Sequence, residues 1–202
     1  MVQTFVPYAD FEACARVLDV KILGKQRVEV VQIVRSLTVP GYAWGSHPAV
    51  LMWKGFEEAL GRYGLIICEV WGEQGFGDTC AQTIRTDQAA AGIAAIRTYD
   101  QLRAADALLG WLFDPEVQLS RRSALVRKDP GGYAAVFAGV PGDLEYVWPV
   151  RSPVALERER KRQERAAERH QRDLARARLR RSEAAKRGWL TRQQRVRDQT
   201  DG

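Results

Sequence analysis

The apolar positions at the start of the chain recur at the spacing of an α-helix rather than at the alternate positions of a strand. Asp10 is suited to cap a helix that begins at Phe11 and buries Phe11 and Leu18. Gly24 is expected to end or kink this helix, because glycine costs about 1 kcal/mol relative to alanine inside a helix. The helical pattern then resumes and continues through Leu37.

A loop with the sequence VPGYAWGS separates this region from the next predicted helix. Pro40 and Gly41 are turn formers. The helix is expected to begin at His47–Pro48, because proline fits the first turn of a helix. Its apolar positions continue through Trp53 to Leu60, and we expect one helix across this span.

The remainder of the first 150 residues also favours helices. Residues 85–109 are rich in alanine and predict a helix or a loose connection rather than a sheet. A short helix is expected around Arg121–Arg127, before the turn KDPGG. Because strand signals are scarce throughout, we predict a mainly α domain over residues 1–150.

Residues 151–202 have a different composition and are predicted to form a separate basic tail. From Leu156 to about Arg187 the chain consists largely of Glu, Arg and Ala at helical spacing. A helix with so few apolar residues has almost no face to bury. We therefore expect a projecting or partly disordered basic helix, which Gly188 is expected to break.

Charge is distributed unevenly between these two parts. Of the 31 Lys and Arg and 25 Asp and Glu in the chain, residues 151–202 contain 17 and 8, a net charge of +9. The first 150 residues contain 14 and 17, a net charge of −3. A mildly acidic body with a strongly basic tail indicates nucleic acid or another polyanion as the partner. A solvated helix that only keeps the protein soluble explains the tail equally well.

Cysteine and histidine usage argues against a structural zinc site. The three cysteines, Cys14, Cys68 and Cys80, are far apart in sequence and form no CxxC pair, and the histidines are His47 and His170. No apolar run of about 18 residues suggests a membrane span, and the first residues do not resemble a secretory signal. We predict a reduced, cytoplasmic protein without a metal ion or cofactor.

The stretch KILGKQRVEVVQI places one carboxylate among several cations. On a helix, Lys21, Lys25, Glu29 and Gln32 share one face, and Arg27 lies nearby. One interpretation is a solvated face with an ion pair between Lys25 and Glu29. The other is a catalytic carboxylate that faces an anionic substrate.

Four segments are informative together: MVQTFVPYADFEACARVLDVKILGKQRVE, GSHPAVLMWKGFEEAL, SALVRKDPGGY and LEYVWP. In combination they resemble a known family of DNA repair enzymes. Over residues 1–149 the chain resembles the pyrimidine dimer DNA glycosylases, in particular their bacterial, largely actinobacterial branch. Phage endonuclease V is a distant member. The resemblance implies a compact helical bundle of the endonuclease V type. It also implies that the protein removes a damaged pyrimidine from duplex DNA and then cleaves the strand at the abasic site. We expect a monomer associated with the nucleoid.

The resemblance also assigns catalytic roles. The nucleophile would be the α-amino group of the mature N-terminus, here on Val2, and a gapless match places the assisting glutamate at Glu29. An α-amino group has a pKa of about 7.7–8.0, so a useful fraction is neutral at physiological pH. The carboxylate would stabilise positive charge at the sugar carbon and transfer protons. Lys21, Lys25 and Arg27 would hold phosphates.

Further DNA contacts follow from the resemblance, each with a structural alternative. His47 is suited to cap a helix or to be buried. Arg127 and Lys128 fit either phosphate contacts or ordinary surface charges. Tyr146 and Trp148 belong either to the core or to a surface that contacts the minor groove. The remaining candidates for DNA binding are His47, Arg121, Arg122, Arg127, Lys128 and Trp148.

Three features depart from the family pattern. Val2 supplies no hydroxyl where the phage enzymes expose threonine, and the N-terminal segment is about six residues longer relative to Glu29. Arg121 stands where the branch is expected to have a histidine, in a Ser-His-x-Ser pattern. These departures leave alternatives open: Lys21 or Lys25 as the nucleophile, a non-catalytic DNA-binding relative, or an RNA-associated protein. The sequence does not select the lesion.

Overall fold

A computed structural model describes residues 3–200, without the side chains of residues 155, 159, 182 and 184–200. Every regular element in this part of the chain is helical, as the sequence predicts, and it contains no β-strand. The elements are α1 (Phe11–Val17), α2 (Val20–Thr38), α3 (Pro48–Leu51), α4 (Glu57–Glu73), α5 (Cys80–Ala90), α6 (Tyr99–Ala104), a 3-10 turn (Gly110–Phe113), α7 (Pro115–Lys128), α8 (Pro130–Tyr133) and α9 (Pro153–Thr200).

Local hydrogen bonds set the start of the first helix, as predicted. The Asp10 carboxylate accepts a hydrogen bond from the backbone N–H of Ala13, at 2.7 Å, and α1 begins at Phe11. Asp19 caps α2 in the same way, through the N–H of Ile22 at 2.9 Å. These caps satisfy backbone donors that a helix leaves unpaired at its N-terminus.

Gly24 does not end the helix, which corrects the sequence prediction. It lies inside α2, and its lack of a side chain makes room for the Trp71 ring of α4. A Cβ atom at Gly24 would lie 2.8 Å from Trp71 Cζ3, closer than real contacts allow. The glycine therefore serves the packing of α2 on α4, which offsets its cost in helix propensity.

Two other helix boundaries differ from the prediction. The helix that begins after His47 ends at Leu51 instead of running to Leu60, and Leu60 lies in α4. One helix across this span is excluded because Gly55 adopts φ +86°, outside the helical region. Gly188 does not break α9, which continues to Thr200. The helix predicted around Arg121–Arg127 is confirmed, but it is longer and spans all of α7.

The core lies between α2, α4 and α5, with α1 packed on α4. Its aromatic centre is Trp53, which is fully buried and packs against Tyr63 and Trp111 at ring-centroid distances of 5.8 and 5.1 Å. The N-terminal segment also enters the core, because Thr4, Phe5 and Val6 are buried. This segment therefore contributes to the folded body before the first helix begins.

The chain divides into two compact units, Met1–Ser152 and Pro153–Gly202. The first contains α1 to α8, and the second contains α9. In α9 the described side chains are largely exposed, including Leu174 and Leu179. This exposure agrees with the scarcity of apolar residues in that part of the sequence.

Candidate active site

Glu29 is a buried carboxylate on α2, with only 5 % of its surface exposed. Lys25 Nζ lies 3.5 Å from its Oε1, so the predicted ion pair is present. The pair does not lie on a solvated helix face, however, because Lys25 is exposed while Glu29 is buried. Burial raises the pKa of Glu29, while Lys25 and the backbone N–H of Gln3 act to lower it.

Gln26 holds the N-terminal segment against α2. Its side-chain amide donates to the Gln3 carbonyl at 2.8 Å, and its side-chain oxygen accepts from the Phe5 N–H at 2.9 Å. This pairing brings Gln3 to the Glu29 carboxylate. The sequence analysis missed Gln26, although its position three residues before Glu29 places both on one side of the helix.

The N-terminal segment therefore has a structural reason to be long. Its buried residues cross α2 before the chain enters α1, and the segment leads to Glu29 rather than away from it. Val2 itself lies outside the described residues. It is joined to Gln3 by a single peptide bond.

A cleft of about 420 Å³ contains three of the predicted DNA contacts. Its lining consists of Asp19, Lys21, Ile22, Lys25, Lys128 and Asp129. Lys128 comes from the end of α7, and its Nζ lies 5.5 Å from the centre of the Phe5 ring. The fold thus places this lysine beside two lysines that are more than 100 positions earlier in the chain. We call this feature the lysine cleft.

Both carboxylates of the lysine cleft have hydrogen-bond donors within the protein. Asp19 accepts from the Ile22 N–H and from the Tyr133 hydroxyl, the latter at 2.7 Å. Asp129 caps α8 by accepting from the Gly132 N–H at 3.1 Å. The cleft has three ammonium groups and two carboxylates, and one of the ammonium groups, that of Lys25, is paired with Glu29. Lys21 and Lys128 are therefore the cations of the cleft that an anion would contact.

Two of the predicted phosphate contacts are engaged inside the protein. Arg27 forms an ion pair with Asp78 and stacks on Trp71, with its Cζ 4.1 Å from the ring centre. Arg122 Nε donates to the Pro7 carbonyl at 2.9 Å. The structure gives no support to a DNA contact by Arg27, because its guanidinium is mostly buried and paired.

Arg127 and His47 have more local roles. Arg127 is exposed, and its Nη1 donates to the Leu144 carbonyl at 3.2 Å. His47 caps α3, since its Nδ1 accepts from the Ala49 N–H at 3.1 Å. The capping alternative for His47 is thereby confirmed, and burial lowers the pKa of its imidazole.

A short aromatic ladder connects His47 to the interior. The His47 ring packs edge-on against Trp148 at 5.8 Å, and Trp148 contacts Tyr146 at 4.6 Å. The Tyr146 hydroxyl donates to the Thr4 carbonyl at 3.3 Å, so the ladder reaches the N-terminal segment. Trp148 is partly exposed, which keeps both of its predicted roles possible.

Arg121 lies beneath this ladder and is fully buried. Its Cζ is 3.6 Å from the centre of the Tyr146 ring and 5.3 Å from that of Trp148. The predicted contact between Arg121 and a surface phosphate gains no support from this position. Burial lowers the pKa of Arg121, and the neighbouring Tyr146 and Tyr63 oppose that effect.

The described residues provide neither a metal site nor a membrane span. No group of three or more His, Cys, Asp or Glu side chains is placed to hold a metal ion in residues 3–200 where side chains are described. Within the same part of the chain, no helix combines the length and the apolar character needed to cross a membrane.

Comparison with known proteins gives one match. Residues 2–83 match the model of the family described as pyrimidine dimer DNA glycosylase, a span that includes α1 to α4 and Glu29. No curated protein and no solved structure matches the chain. The match supports a DNA glycosylase type of function at the level of the family, and with it a DNA substrate. Through residues 2–83, this chain therefore matches the pyrimidine dimer DNA glycosylase family that its sequence resembles.

Proposed function

We propose that this protein excises a damaged pyrimidine from duplex DNA and then cleaves the strand at the abasic site through an imine. The observation that carries the proposal is the buried Glu29 carboxylate, which meets the N-terminal segment at Gln3 and borders the lysine cleft through Lys25. Three parts are therefore adjacent: a carboxylate for proton transfer, the segment that leads to the α-amino group, and a cleft lined by lysines.

The chemistry needs these three parts in one place. The α-amino group that removal of Met1 would leave on Val2 attacks the sugar C1′, and the base departs with the electrons of the glycosidic bond. The attached amine loses a proton, the sugar ring opens at the C1′–O4′ bond with protonation of O4′, and the protonated imine that results makes the C2′ proton acidic. Its removal breaks the C3′–O bond with loss of the 3′ phosphate, and water then releases the sugar. Each step moves a proton, and a carboxylate with a raised pKa is suited to that task near neutral pH.

The lysines of the cleft would supply the contacts that hold the DNA backbone. Bases in a duplex are hidden, so the target nucleotide must leave the stack, and phosphate contacts hold the distorted backbone. Lys21 and Lys128 line the cleft together with Lys25, which pairs with Glu29. Lys25 is less suited to be the nucleophile, because its ammonium is already paired with Glu29 at 3.5 Å.

Borohydride trapping on a duplex with a single abasic site tests the proposal. We would compare the wild type, an N-terminally acetylated form, Glu29→Gln and the double variant Lys21→Arg, Lys25→Arg, and identify the trapped peptide by mass spectrometry. We expect a crosslink on the N-terminal peptide that acetylation abolishes. The double variant is the matched control, because arginine keeps the charge but does not form an imine at neutral pH. We expect it to trap as the wild type does.

Glu29→Gln should slow trapping by at least about 100-fold, in the range for loss of a general acid or base, and leave the dissociation constant for DNA unchanged. A crosslink on Lys21 or Lys25 would show that this lysine, and not the N-terminal amine, is the nucleophile. Absence of any crosslink with DNA binding retained would refute the lyase step. Release of the free base, measured separately, would then decide whether the protein is a glycosylase that uses water.

A further inference from the structure

The N-terminal segment is held by side chains rather than by a helix or a strand. Residues 3–6 have no regular secondary structure, and the described part of the chain contains no strand that could pair with them. Thr4, Phe5 and Val6 are nevertheless buried. Buried backbone groups need hydrogen-bond partners, so for this segment the partners come from side chains of other elements.

Three consecutive carbonyl groups of this segment, those of residues 3–5, each accept a hydrogen bond from a different part of the body. In chain order the donors are the side chains of Gln26 at 2.8 Å, Tyr146 at 3.3 Å and Tyr63 at 2.7 Å. Gln26 and Tyr63 lie on α2 and α4, and Tyr146 lies in the irregular segment between α8 and α9. Elements that are distant in the chain thus fix the path of the N-terminal segment together.

The donors are themselves held in place. Gln26 and Tyr63 are fully buried. The ring of Tyr146 lies against the buried guanidinium of Arg121, whose Cζ is 3.6 Å from the ring centre, and a cation is attracted to the face of an aromatic ring. Side chains that packing locks in this way can hold a reacting group within narrow limits.

The hydrogen bond to Gln3 is the one nearest to the candidate catalytic carboxylate. Gln26 precedes Glu29 by three residues on α2, and side chains at that spacing are neighbours on the helix surface, about 5–6 Å apart at Cβ. Because Gln26 binds Gln3 at 2.8 Å, Gln3 lies beside Glu29. The α-amino group that removal of Met1 would leave is one residue before Gln3, and one residue spans about 3.8 Å. Holding Gln3 therefore limits how far the amine can lie from the carboxylate.

We infer that Gln26 and Tyr146 are positioning residues that hold the end of the N-terminal segment, and with it the α-amino nucleophile, beside Glu29. This inference rests on the proposed function, because it requires the amine to attack the sugar. Chain termini are commonly poorly ordered unless other groups tie them down. A nucleophile that folding has already oriented needs no ordering during the reaction, which raises the rate of the chemical step.

Tyr146→Phe and Tyr63→Phe are a matched pair of variants. Each removes one hydroxyl that donates to a carbonyl of the N-terminal segment, and each keeps its ring, so Tyr146→Phe retains the contact with Arg121. The lost hydrogen bond is two residues from Val2 in Tyr146→Phe and three residues from it in Tyr63→Phe. Borohydride trapping at a saturating concentration of abasic-site duplex measures the chemical rate, and the melting temperature measures stability.

We expect activity and stability to rank these two variants in opposite orders. Tyr63→Phe should lower the melting temperature more, because its hydrogen bond is shorter and its side chain is fully buried. It should slow trapping less than about threefold, Tyr146→Phe about 10-fold and Gln26→Met, which releases Gln3 itself, about 100-fold, in the range expected for a misplaced reacting group. The dissociation constant for DNA should stay within about twofold in all three, because the described lining of the lysine cleft includes none of these side chains.

Trapping rates that fall in parallel with the melting temperature would overturn the inference and assign these side chains to stability alone. Wild-type rates in Gln26→Met and Tyr146→Phe would also overturn it. Both results leave the proposed function intact when the wild type is trapped on its N-terminal peptide. A wild type that gives no crosslink, or a crosslink on a lysine, would overturn the N-terminal nucleophile and this inference with it. If Gln26→Met does not fold, the two tyrosine variants carry the test, since each lacks only one oxygen atom.

Discussion

At the scale of single residues, the notable feature is a carboxylate that folding removes from water. Glu29 is almost fully buried, and its strongest nearby charge is the exposed Lys25. An ionised group in such a place lowers the stability of the fold. Such destabilisation is expected for a residue whose protonation is part of a reaction. Because burial also raises the pKa of Glu29, the stability of the protein depends on pH.

We expect the free energy of unfolding to fall as the pH rises from the ordinary range of a glutamate to the raised pKa of Glu29. In that interval the folded state retains the proton and the unfolded state releases it, so the folded state binds more protons. Stability is fully present below the unfolded-state pKa and is lost as the pH passes the folded-state pKa. Chemical denaturation at a series of pH values would measure this, and Glu29→Gln should lack the decline.

Lys25→Met should enlarge the decline in the free energy of unfolding that accompanies the rise in pH. The lysine is the main charge that lowers the pKa of Glu29, so its removal raises that pKa further. Lys21→Met is the matched control, because it removes an equal charge from the same helix without breaking the 3.5 Å pair. Parallel pH curves for the wild type and Glu29→Gln would contradict this account.

At the scale of elements, the three central helices approach closely because a glycine lies at their contact. A Cβ atom at Gly64 of α4 would lie 2.5 Å from Val30 Cγ1 of α2 and 2.7 Å from Ile84 Cδ1 of α5. Both neighbours are fully buried, so neither has free space into which it could move. The position is closed to any side chain unless the helices separate.

Gly64→Ala should therefore lower the free energy of unfolding by about 1–2 kcal/mol, the cost of overpacking less the gain in helix propensity. Gly72→Ala is the control, because it lies in the same helix and a Cβ atom there meets nothing within 4 Å. It should leave stability unchanged or raise it by up to about 1 kcal/mol. Urea denaturation followed by circular dichroism measures both. Equal effects of the two variants would refute the packing argument.

At the scale of the whole molecule, the positive charge of the tail is ordered as well as abundant. Seven exposed arginines on α9 are spaced three or four positions apart, which places them on one face of the helix. This arginine stripe consists of Arg158, Arg162, Arg165, Arg169, Arg172, Arg176 and Arg180. It spans 23 residues, or about 33 Å of helix. Such a row is suited to follow a phosphate backbone.

The triple variant Arg165→Gln, Arg169→Gln, Arg176→Gln should weaken DNA binding and reduce its dependence on salt. If each residue contacts one phosphate, the slope of log affinity against log salt concentration should become shallower by about 2–3. Titration of a labelled duplex at several sodium chloride concentrations measures this slope.

The matched control removes three arginines from the other side of α9: Arg160, Arg178 and Arg181, each replaced by Gln. Its net charge equals that of the stripe variant, so a general electrostatic effect would change both equally. A smaller change in the control would assign DNA contact to the stripe itself. An unchanged slope in both variants would mean that the tail does not contact DNA.

The features that the sequence determined are those that depend on neighbours in the chain. The start of α1 follows from Asp10, the cap of α3 from His47, and the exposure of α9 from its lack of an apolar face. The interactions behind them reach no further than a few residues, so the sequence contains all the information that they need. The family resemblance also depended on the sequence alone, and the match to residues 2–83 supports it.

Tertiary structure decided the environment of each charged residue, because burial depends on segments that are distant in the chain. Arg27 is held by Asp78, 51 positions away, and Arg121 is covered by Tyr146 and Trp148. From the sequence alone, Glu29 is equally well interpreted as the partner of Lys25 in a surface ion pair. In the folded protein the N-terminal segment lies across α2 and Glu29 is buried. The free energy of a charge is set by the solvent and the partners that surround it. Those surroundings exist only once the chain is folded, and for this reason the sequence named the charged residues while the fold assigned their environments.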